Sequence, residues 1–392
     1  MRLPILTACL PLALALTGLA ACNDRDPSGE PDAKSADSRS KAAAGGADSM
    51  AARDGAVAGD EIPDSEARPI MQAQVVLDRL GFSVGVVDGK PGRGLANAVR
   101  AFQQSRELPE TGELDEATRR ALAEWSQIPA TRVVTIPDDW GARTFTVLPD
   151  DAAQQAKLDE LGYESFAEKL AERFHTTPEV LAALNPGGRP AGAGGTTGAP
   201  AAAPSAEATG APPAFRPGQQ IRVPNIGADR IDPSRVDNTA WRDTLRALGV
   251  GSEQPQAARI VVEEAAGWLH VFDAEDRLVA AFTVTTGSRR DPLPIGDWSV
   301  KGVARNPTFV YNPELFWDVD DSEDKQHLPP GPNSPVGVVW IDLSKEHYGI
   351  HGTPEPQLIG QTQSHGCVRL TNWDAARLAQ MVRPGVKVEF RR

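Results

Sequence analysis

The triplet HGT at 351–353 and the heptapeptide SHGCVRL at 364–370 place a thiol, two imidazoles and a guanidinium in a short span of the chain. A cysteine attacks as its thiolate, and a free thiol with a pKa of about 8.5 is mostly protonated at neutral pH. A neighbouring histidine can take that proton if a third group holds its ring in the right tautomer. His351 and Cys367 are 16 positions apart, so they form a catalytic pair only if the fold brings two segments together.

The flanking residues predict such a fold. Residues 338–343 are β-rich, and a second short β segment leads directly into His351. After position 370 the sequence TNWD resembles a capping box, which predicts a short helix at 375–382. Gly366 permits a sharp bend, so we expect Cys367 in a glycine-bearing turn between a strand and that helix. Backbone N–H groups of such a turn can face a developing oxyanion.

Together these segments resemble the signature of the L,D-transpeptidase catalytic domain of the YkuD type. The resemblance covers residues 258–392 and includes an opening hairpin at 258–272 and a proline-rich loop at 328–337. The segment PLPIG at 292–296 departs from the family's usual TPTPG pattern. The resemblance implies a mostly-β domain, a curved β-sandwich with a short C-terminal helix, and the alternation of apolar residues from position 259 is compatible with it.

The resemblance also implies roles for individual residues. Cys367 would be the nucleophile, and His351 would be the general base, oriented by a backbone carbonyl such as that of Gly352. His365, Gly366 and the Cys367 amide would surround the oxyanion, and Arg369 would steady the site or pair with a substrate carboxylate. No metal or organic cofactor is implied. The other implied residues are Ser364 in catalysis, and Gly352 and Thr353 in substrate binding.

The implied reaction is acyl transfer on peptidoglycan stem peptides. The thiolate attacks the carbonyl of the third residue and expels the terminal D-alanine, and a neighbouring diamino-acid amine resolves the thioester as a 3→3 cross-link. Three alternatives keep the same acyl-enzyme but change the acceptor to water, a free D-amino acid or a protein amine. A non-catalytic wall-binding scaffold and a zinc site at the two histidines and Cys367 are further alternatives. Carbapenems are expected to acylate Cys367.

Residues 1–22 resemble a lipoprotein signal peptide that ends in the lipobox LAAC. Cleavage before Cys22 and acylation of its thiol and amine would anchor the protein to a membrane. A plain signal peptide or an uncleaved membrane anchor are the alternatives. Asn23 takes the place of the aspartate that retains lipoproteins at the inner membrane of enteric bacteria. The sequence therefore predicts a lipid-anchored periplasmic protein of a Gram-negative bacterium, with the outer membrane favoured.

Composition supports export and excludes one class of partner. The chain has 40 Lys and Arg against 53 Asp and Glu, a net charge of −13, and no basic run, which argues against a nucleic-acid partner. Of its three cysteines, Cys9 would leave with the signal peptide and Cys22 would be lipidated. Only Cys367 would remain, and a single free thiol is unusual in an exported protein unless it is used.

Composition and periodicity divide the rest of a multidomain chain. Residues 23–66 are poor in large apolar residues and predict a disordered tether. Residues 67–128 show apolar residues at helical spacing between glycine-rich turns and resemble the small helical peptidoglycan-binding domain. A helical spacer without binding activity is the alternative.

Residues 129–225 predict a strand, two helices and a closing strand, and they resemble a LysM glycan-binding module of α+β class. A further β segment is predicted at 144–148, and an Ala/Gly/Pro/Thr-rich insertion at 189–214 predicts a disordered loop. A structural spacer is the alternative for this module. Residues 226–257 are expected to be a linker with a short helix at 241–248. Peptidoglycan, through its glycan strands and tetrapeptide stems, is the expected partner of the whole chain.

Other conspicuous residues are assigned by default. The remaining histidines are expected to be structural, and core packing is the commoner fate of tryptophan, although three tryptophans of the catalytic domain could line the cleft. These residues are His175, His270, His327, His347, Trp317, Trp340 and Trp373.

Overall fold

Three helices form the N-terminal part of the described protein. The computed structural model describes residues 62–141, 144–193, 215–227, 230–313 and 324–392, and the backbone of the short strand β1 (Val57–Ala58). The helices are α1 (Pro69–Arg79), α2 (Arg93–Ser105) and α3 (Glu116–Leu122), followed by a 3-10 turn at Ala123–Trp125. Asp115 caps α3 by accepting a hydrogen bond from the Thr118 N–H. The predicted helical domain is therefore confirmed, with a core that includes Val75, Leu77, Val99 and Phe102.

The next module has the predicted strand at each end and the two predicted helices between them, together with one short additional helix. Strands β2 (Thr131–Thr135) and β3 (Gln220–Pro224) pair antiparallel, and β1 pairs with the other edge of β2. Between them lie a short helix α4 (Ala152–Gln155), then α5 (Phe166–Arg173) and α6 (Pro178–Leu184). A capping box of Ser165 and Glu168 begins α5.

The β segment predicted at 144–148 is wrong. These residues lie outside any strand, and Val147 is 78% exposed. Phe145 packs against Phe166 at the start of α5, with ring centroids 5.7 Å apart. The apolar residues of this segment therefore pack against the start of a helix. Such packing needs only a few side chains and no strand pairing.

The tether predicted at residues 23–66 ends too late in the sequence, because residues from 62 onward contact a buried arginine of the next module. Arg222 is 2% exposed, and its guanidinium donates to the carbonyl oxygens of Ile62 and Pro63 at 2.8 and 3.0 Å. It also donates to the carbonyl of Ala191, so the predicted insertion 189–214 begins with ordered residues. A buried guanidinium needs acceptors, and these backbone carbonyls supply them. Residues 194–214, the signal peptide 1–22 and positions 23–56 and 59–61 lie outside the described residues.

The C-terminal domain is built on one sheet of eight strands in the order β12-β11-β10-β7-β13-β4-β5-β6. Strand β7 is ten residues long, and it pairs with β13 along its first half and with β10 along its second. The predicted sandwich is thus one continuous sheet whose two halves share β7. The strands are β4 (Arg259–Glu263), β5 (Trp268–Phe272), β6 (Leu278–Thr283), β7 (Gly296–Arg305), β10 (Val339–Leu343), β11 (Gly349–His351), β12 (Val368–Arg369) and β13 (Lys387–Arg391), with a separate hairpin of β8 (Phe309–Tyr311) and β9 (Gln326–Leu328).

Two helices complete the hydrophobic core of this domain. Helix α8 (Asn372–Met381) begins at the cap Thr371, close to the prediction, but it is followed by β13, which lies parallel to β4 inside the sheet. Helix α7 (Thr239–Leu248) lies in the predicted linker. Its buried Trp241 and Leu245 belong to the same core as the sheet, so residues 226–257 contribute to the domain and are not merely a connection.

Buried polar contacts join the three modules. Arg377 of α8 holds the carboxylate of Asp78 on α1 with hydrogen bonds of 2.8 and 3.1 Å, and His175 lies 3.2 Å from the same carboxylate. The His175 ring stacks on Trp373 at a centroid distance of 5.0 Å. The described residues from position 62 onward accordingly belong to one compact unit. None of the helices in the described ranges combines the length and the apolarity that crossing a bilayer requires.

Candidate active site

The two segments of the signature meet at one edge of the sheet, where β11 and β12 run parallel. Ile350 pairs with Val368 and His351 with Arg369. Cys367, one residue before β12, therefore comes level with Gly349, whose backbone hydrogen-bonds its sulfur. The Cys367 Sγ also lies 3.9 Å from the carbonyl oxygen of His347. The fold thus brings the predicted base and nucleophile onto neighbouring strands.

The His351 ring contacts the backbone of the next residue in the chain. Its Nδ1 lies 2.7 Å from the carbonyl oxygen of Gly352. Because a carbonyl only accepts, Nδ1 must carry the proton, which leaves the lone pair of Nε2 available as a base. The ring is 4% exposed and stacks on Trp340, the residue opposite it on β10, at a centroid distance of 5.4 Å. Both contacts restrict rotation of the imidazole.

The electrostatics favour a resting pair of neutral groups. Burial lowers the pKa of His351 to about 3, with a further lowering by the positive charge of Arg369, while the hydrogen bond to Gly352 opposes both. Burial raises the pKa of the Cys367 thiol, against the lowering by the Gly349 hydrogen bond and by Arg369. At neutral pH the site therefore holds a thiol and an unprotonated imidazole, and the proton must move as the sulfur attacks.

A tight turn presents Cys367. The Ser364 hydroxyl donates to the Cys367 carbonyl at 2.6 Å and accepts from the Gly366 N–H at 3.2 Å. Gly366 has a φ of 101°, and a Cβ there would lie 2.7 Å from the Tyr348 ring. Ser364, predicted to be catalytic, is 3% exposed and shapes this turn. The Gly366 N–H, which the resemblance assigned to the oxyanion, is already bonded to Ser364, so the Cys367 amide remains as the candidate backbone donor from this pair.

The turn is tied to the segment that follows β6. Thr285 and Arg369 exchange two backbone hydrogen bonds of 3.0 and 2.8 Å, and the Ser364 N–H donates to the Thr286 carbonyl at 2.9 Å. His365 and Arg369 are half-buried in this arrangement. The nucleophile loop is therefore held on both sides, by β11 and by residues 285–287.

The two predicted substrate-binding residues are buried. Gly352 lies against Asn372 of α8 and acts through its carbonyl on His351. Thr353 is 5% exposed, and its hydroxyl accepts from the Glu355 N–H at 3.3 Å. Gly352 therefore contacts the imidazole of His351, and Thr353 contacts the backbone of the residues that follow it.

Sequence reasoning missed the segment that contacts the sulfur. His347 was assigned a structural role, yet its carbonyl lies beside Cys367, and its φ of 67° turns the chain into β11. Burial raises the pKa of Tyr348, and Cys367 and Asp291 raise it further. The signal that the sequence offered for His347 and Tyr348 was that they directly precede the β segment leading into His351. Of the three tryptophans, Trp340 contacts the base, Trp373 is fully buried and Trp317 lies outside the described residues.

Two family profiles match the chain. The L,D-transpeptidase catalytic domain (YkuD) matches residues 257–390, and the "Putative peptidoglycan binding domain" matches residues 67–122. Within the described ranges, no group of three or more His, Cys, Asp or Glu side chains could hold a metal ion.

Several named proteins are similar to this chain. The "Putative L,D-transpeptidase YkuD" of Bacillus licheniformis is 49% identical over 223 residues, which cover 57% of this chain and 92% of that protein. The "Probable L,D-transpeptidase YbiS" of Escherichia coli K12 is 28% identical over 135 residues, 33% of this chain and 44% of the relative. Among solved structures, L,D-transpeptidase 3 from Mycobacterium tuberculosis with a faropenem-derived adduct matches with 15% identity, a TM-score of 0.28, and coverage of 45% of this chain and 76% of that one.

Proposed function

This chain belongs to the L,D-transpeptidase (YkuD) family, and from that premise we propose that Cys367 forms the acyl-enzyme of a 3→3 peptidoglycan cross-linking reaction. The donor is a tetrapeptide stem, and the acceptor is the side-chain amine of a diamino acid on a neighbouring stem. The observation that carries the proposal is the pairing of β11 with β12, which places Cys367 beside the segment that ends in His351.

The first half-reaction forms a thioester. His351 Nε2 takes the proton from Sγ as the sulfur attacks the carbonyl carbon of the third stem residue. The Cys367 N–H donates to the oxyanion of the tetrahedral intermediate. The C–N bond to D-alanine then breaks, and the proton on His351 passes to the leaving amine. Its Nδ1–H bond to Gly352 keeps the proton on Nδ1, so Nε2 remains the nitrogen that exchanges protons throughout.

The second half-reaction reverses these proton transfers. The acceptor amine attacks the thioester carbonyl, and His351 takes a proton from the amine nitrogen. The C–S bond breaks, and His351 returns the proton to the sulfur. Arg369 pairs with His351 across β11 and β12, so its charge stabilises the thiolate in both steps.

The test is mass spectrometry of purified disaccharide-tetrapeptide incubated with the wild-type protein and with Cys367→Ala. A Cys367-dependent dimer that has lost one D-alanine supports the cross-linking reaction. Formation of Cys367-dependent tripeptide without dimer would show that water is the acceptor under these conditions. The assay would then be repeated with free D-amino acids and with protein amines as acceptors. An unchanged tetrapeptide would leave the protein as a wall-binding scaffold.

A carbapenem provides a second test of the nucleophile. Attack by Cys367 on the β-lactam carbonyl opens the ring and adds the mass of one inhibitor to the protein. We expect this adduct with imipenem or meropenem on the wild type and its absence on Cys367→Ala. Lack of any adduct on the wild type would contradict a reactive thiol at this position.

The other modules and the anchor complete the proposal. We propose that residues 67–128 and the LysM-like module at 129–225 bind peptidoglycan, and that a lipid at Cys22 holds the protein at a periplasmic membrane face. The match at residues 67–122 and the arrangement β2-α5-α6-β3 support the first part, and the lipobox supports the second. Cosedimentation with purified wall, and incorporation of a labelled fatty acid with Cys22→Ala as control, test the two parts.

A further inference from the structure

A cleft of about 680 Å³ opens beside the nucleophile loop, between the helical module and the catalytic domain. One wall is the segment 284–287, which pairs with Ser364 and Arg369. The far wall includes Arg93, the first residue of α2. Residues 360–363, which directly precede the nucleophile loop, also line the cleft, so the cleft borders that loop and takes part of its wall from the helical module.

The cleft is basic in a strongly acidic protein. Its charged lining residues are Arg93, Arg289, Arg392 and Glu264, whereas the chain as a whole carries a net charge of −13. All three arginines are exposed, and none of them forms an ion pair with any residue of the described ranges. The Glu264 carboxylate accepts a hydrogen bond from the Leu293 N–H at 3.1 Å, and Leu293 is itself a lining residue of the cleft. Such a cleft favours an anionic ligand.

The position of Arg93 is set by the packing of its helix. One turn further along α2, the Asn97 amide donates to the carbonyls of Ala266 and Gly267 at 3.1 and 3.2 Å. The side chain of Arg93 passes between Gly267 and Gly360, where added Cβ atoms would lie 3.5 Å from its Nη1 and 3.8 Å from its Cδ. Two glycines thus leave room for the guanidinium to reach the cleft.

The helical module itself is attached to the sheet edge. The Ser83 N–H donates to the Ala281 carbonyl at 2.8 Å, and the Ala281 N–H donates to the Gly81 carbonyl at 3.0 Å. These bonds pair the loop after α1 with β6, the last strand of the sheet. Arg93 is consequently held at a fixed place relative to Cys367, as a substrate contact requires.

We propose that Arg93 of the helical module and Arg289 of the catalytic domain bind the free carboxylates of the acyl-donor stem, so that the helical module forms part of the substrate site. This inference rests on the proposed function for the identity of the donor. Guanidinium groups bind carboxylates through paired N–H bonds, and the helical module would select donors that carry free carboxylates.

The kinetic test compares Arg93→Gln with Arg383→Gln, which removes the same charge from an exposed position between α8 and β13, outside the cleft and outside the helical module. We expect Arg93→Gln to raise the KM for disaccharide-tetrapeptide about fivefold with kcat within about twofold of the wild type. Arg383→Gln should change neither constant, and Arg93→Lys, which keeps the charge, should recover most of the affinity. Equal KM values for Arg93→Gln and Arg383→Gln would overturn the proposal.

Amidated donors test the chemistry of the contact. When the stem carboxylates are converted to amides, the wild type should lose affinity and the difference between wild type and Arg93→Gln should disappear. A difference that persists with the amidated donor would show that Arg93 acts through packing, and it would also overturn the proposal.

Direct binding separates this inference from the proposed function. Calorimetric titration of tetrapeptide stem into Cys367→Ala and into Cys367→Ala/Arg93→Gln needs no turnover. About fivefold weaker binding by the double variant supports the cleft even if the wild type makes no cross-link. Equal binding by the two proteins refutes the cleft even if cross-linking is observed.

Discussion

Replacing the buried carboxyl of Glu172 should change how stability depends on pH. Glu172 lies on α5, is 4% exposed, and accepts hydrogen bonds of 2.9 Å from both Tyr163 and Asn372. Burial raises its pKa to about 8 from an ordinary value of 4.5; the bonds from Asn372 and Tyr163 oppose that rise, and Glu168 adds to it. In the folded protein at pH 6 the side chain is therefore a neutral carboxylic acid.

The pKa difference determines the direction and the size of the effect. Between pH 4.5 and pH 8 the folded protein keeps a proton that the unfolded chain releases, so the free energy of unfolding falls as pH rises through this window. A difference of about 3.5 pKa units corresponds to roughly 5 kcal/mol at about 1.4 kcal/mol per unit. Glu172→Gln has the same shape and no titrating group. At pH 4.5 this variant should have a free energy of unfolding about 1 kcal/mol below that of the wild type. At pH 8 its free energy of unfolding should exceed that of the wild type by several kcal/mol.

Urea unfolding followed by tryptophan fluorescence at pH 4.5, 6.5 and 8 measures these differences. Glu179→Gln is the matched control, because Glu179 lies on the adjacent helix α6 and lines one cavity together with Glu172, but its side chain is exposed. Its profile should follow the wild type. If the Glu172→Gln profile also followed the wild type across this range, Glu172 would not be protonated in the folded protein and the reasoning would be refuted.

Three further predictions concern the site and the module junction. Because burial raises the pKa of Cys367 and Arg369 opposes that rise, the rate of iodoacetamide alkylation should still increase above pH 9, and Arg369→Gln should move the curve to higher pH; a plateau below pH 8 would contradict this. Arg377→Gln leaves the Asp78 carboxylate without its bidentate partner and should destabilise the protein by about 3–5 kcal/mol in urea, against no change for the exposed control Arg383→Gln. Gly366→Ala places a Cβ against Tyr348 at a positive φ, so kcat/KM should fall at least about tenfold; unchanged turnover would show that the turn tolerates the residue.

Short-range patterns predicted the helices of this protein well. The two helices predicted within residues 129–225 form as α5 and α6, and the helix predicted at 375–382 begins three residues earlier as α8. Each of these features depends on hydrogen bonds between residues three or four positions apart, which a sequence displays directly. The strand predicted at residues 144–148 is wrong, because an alternation of apolar residues forms a strand only when a partner strand lies beside it.

The sequence by itself determined the chemistry of the site. Cys367, His351 and Arg369 are the residue types that thiol acyl transfer requires, and a glycine before the cysteine predicted the turn that presents it. The family resemblance implied that a backbone carbonyl orients His351, and the observed contact is with the next residue in the chain, Gly352.

Only the tertiary structure decided which residues that are distant in the chain come together. The Arg377 guanidinium and the Asp78 carboxylate are 299 positions apart, and Arg93 reaches the cleft from a different module. The sulfur contacts of His347 and Gly349 depend on the register of β11 and β12. No local pattern encodes such contacts, because they follow from the packing of whole modules on a shared core, where burial of apolar surface, and not sequence spacing, selects the neighbours.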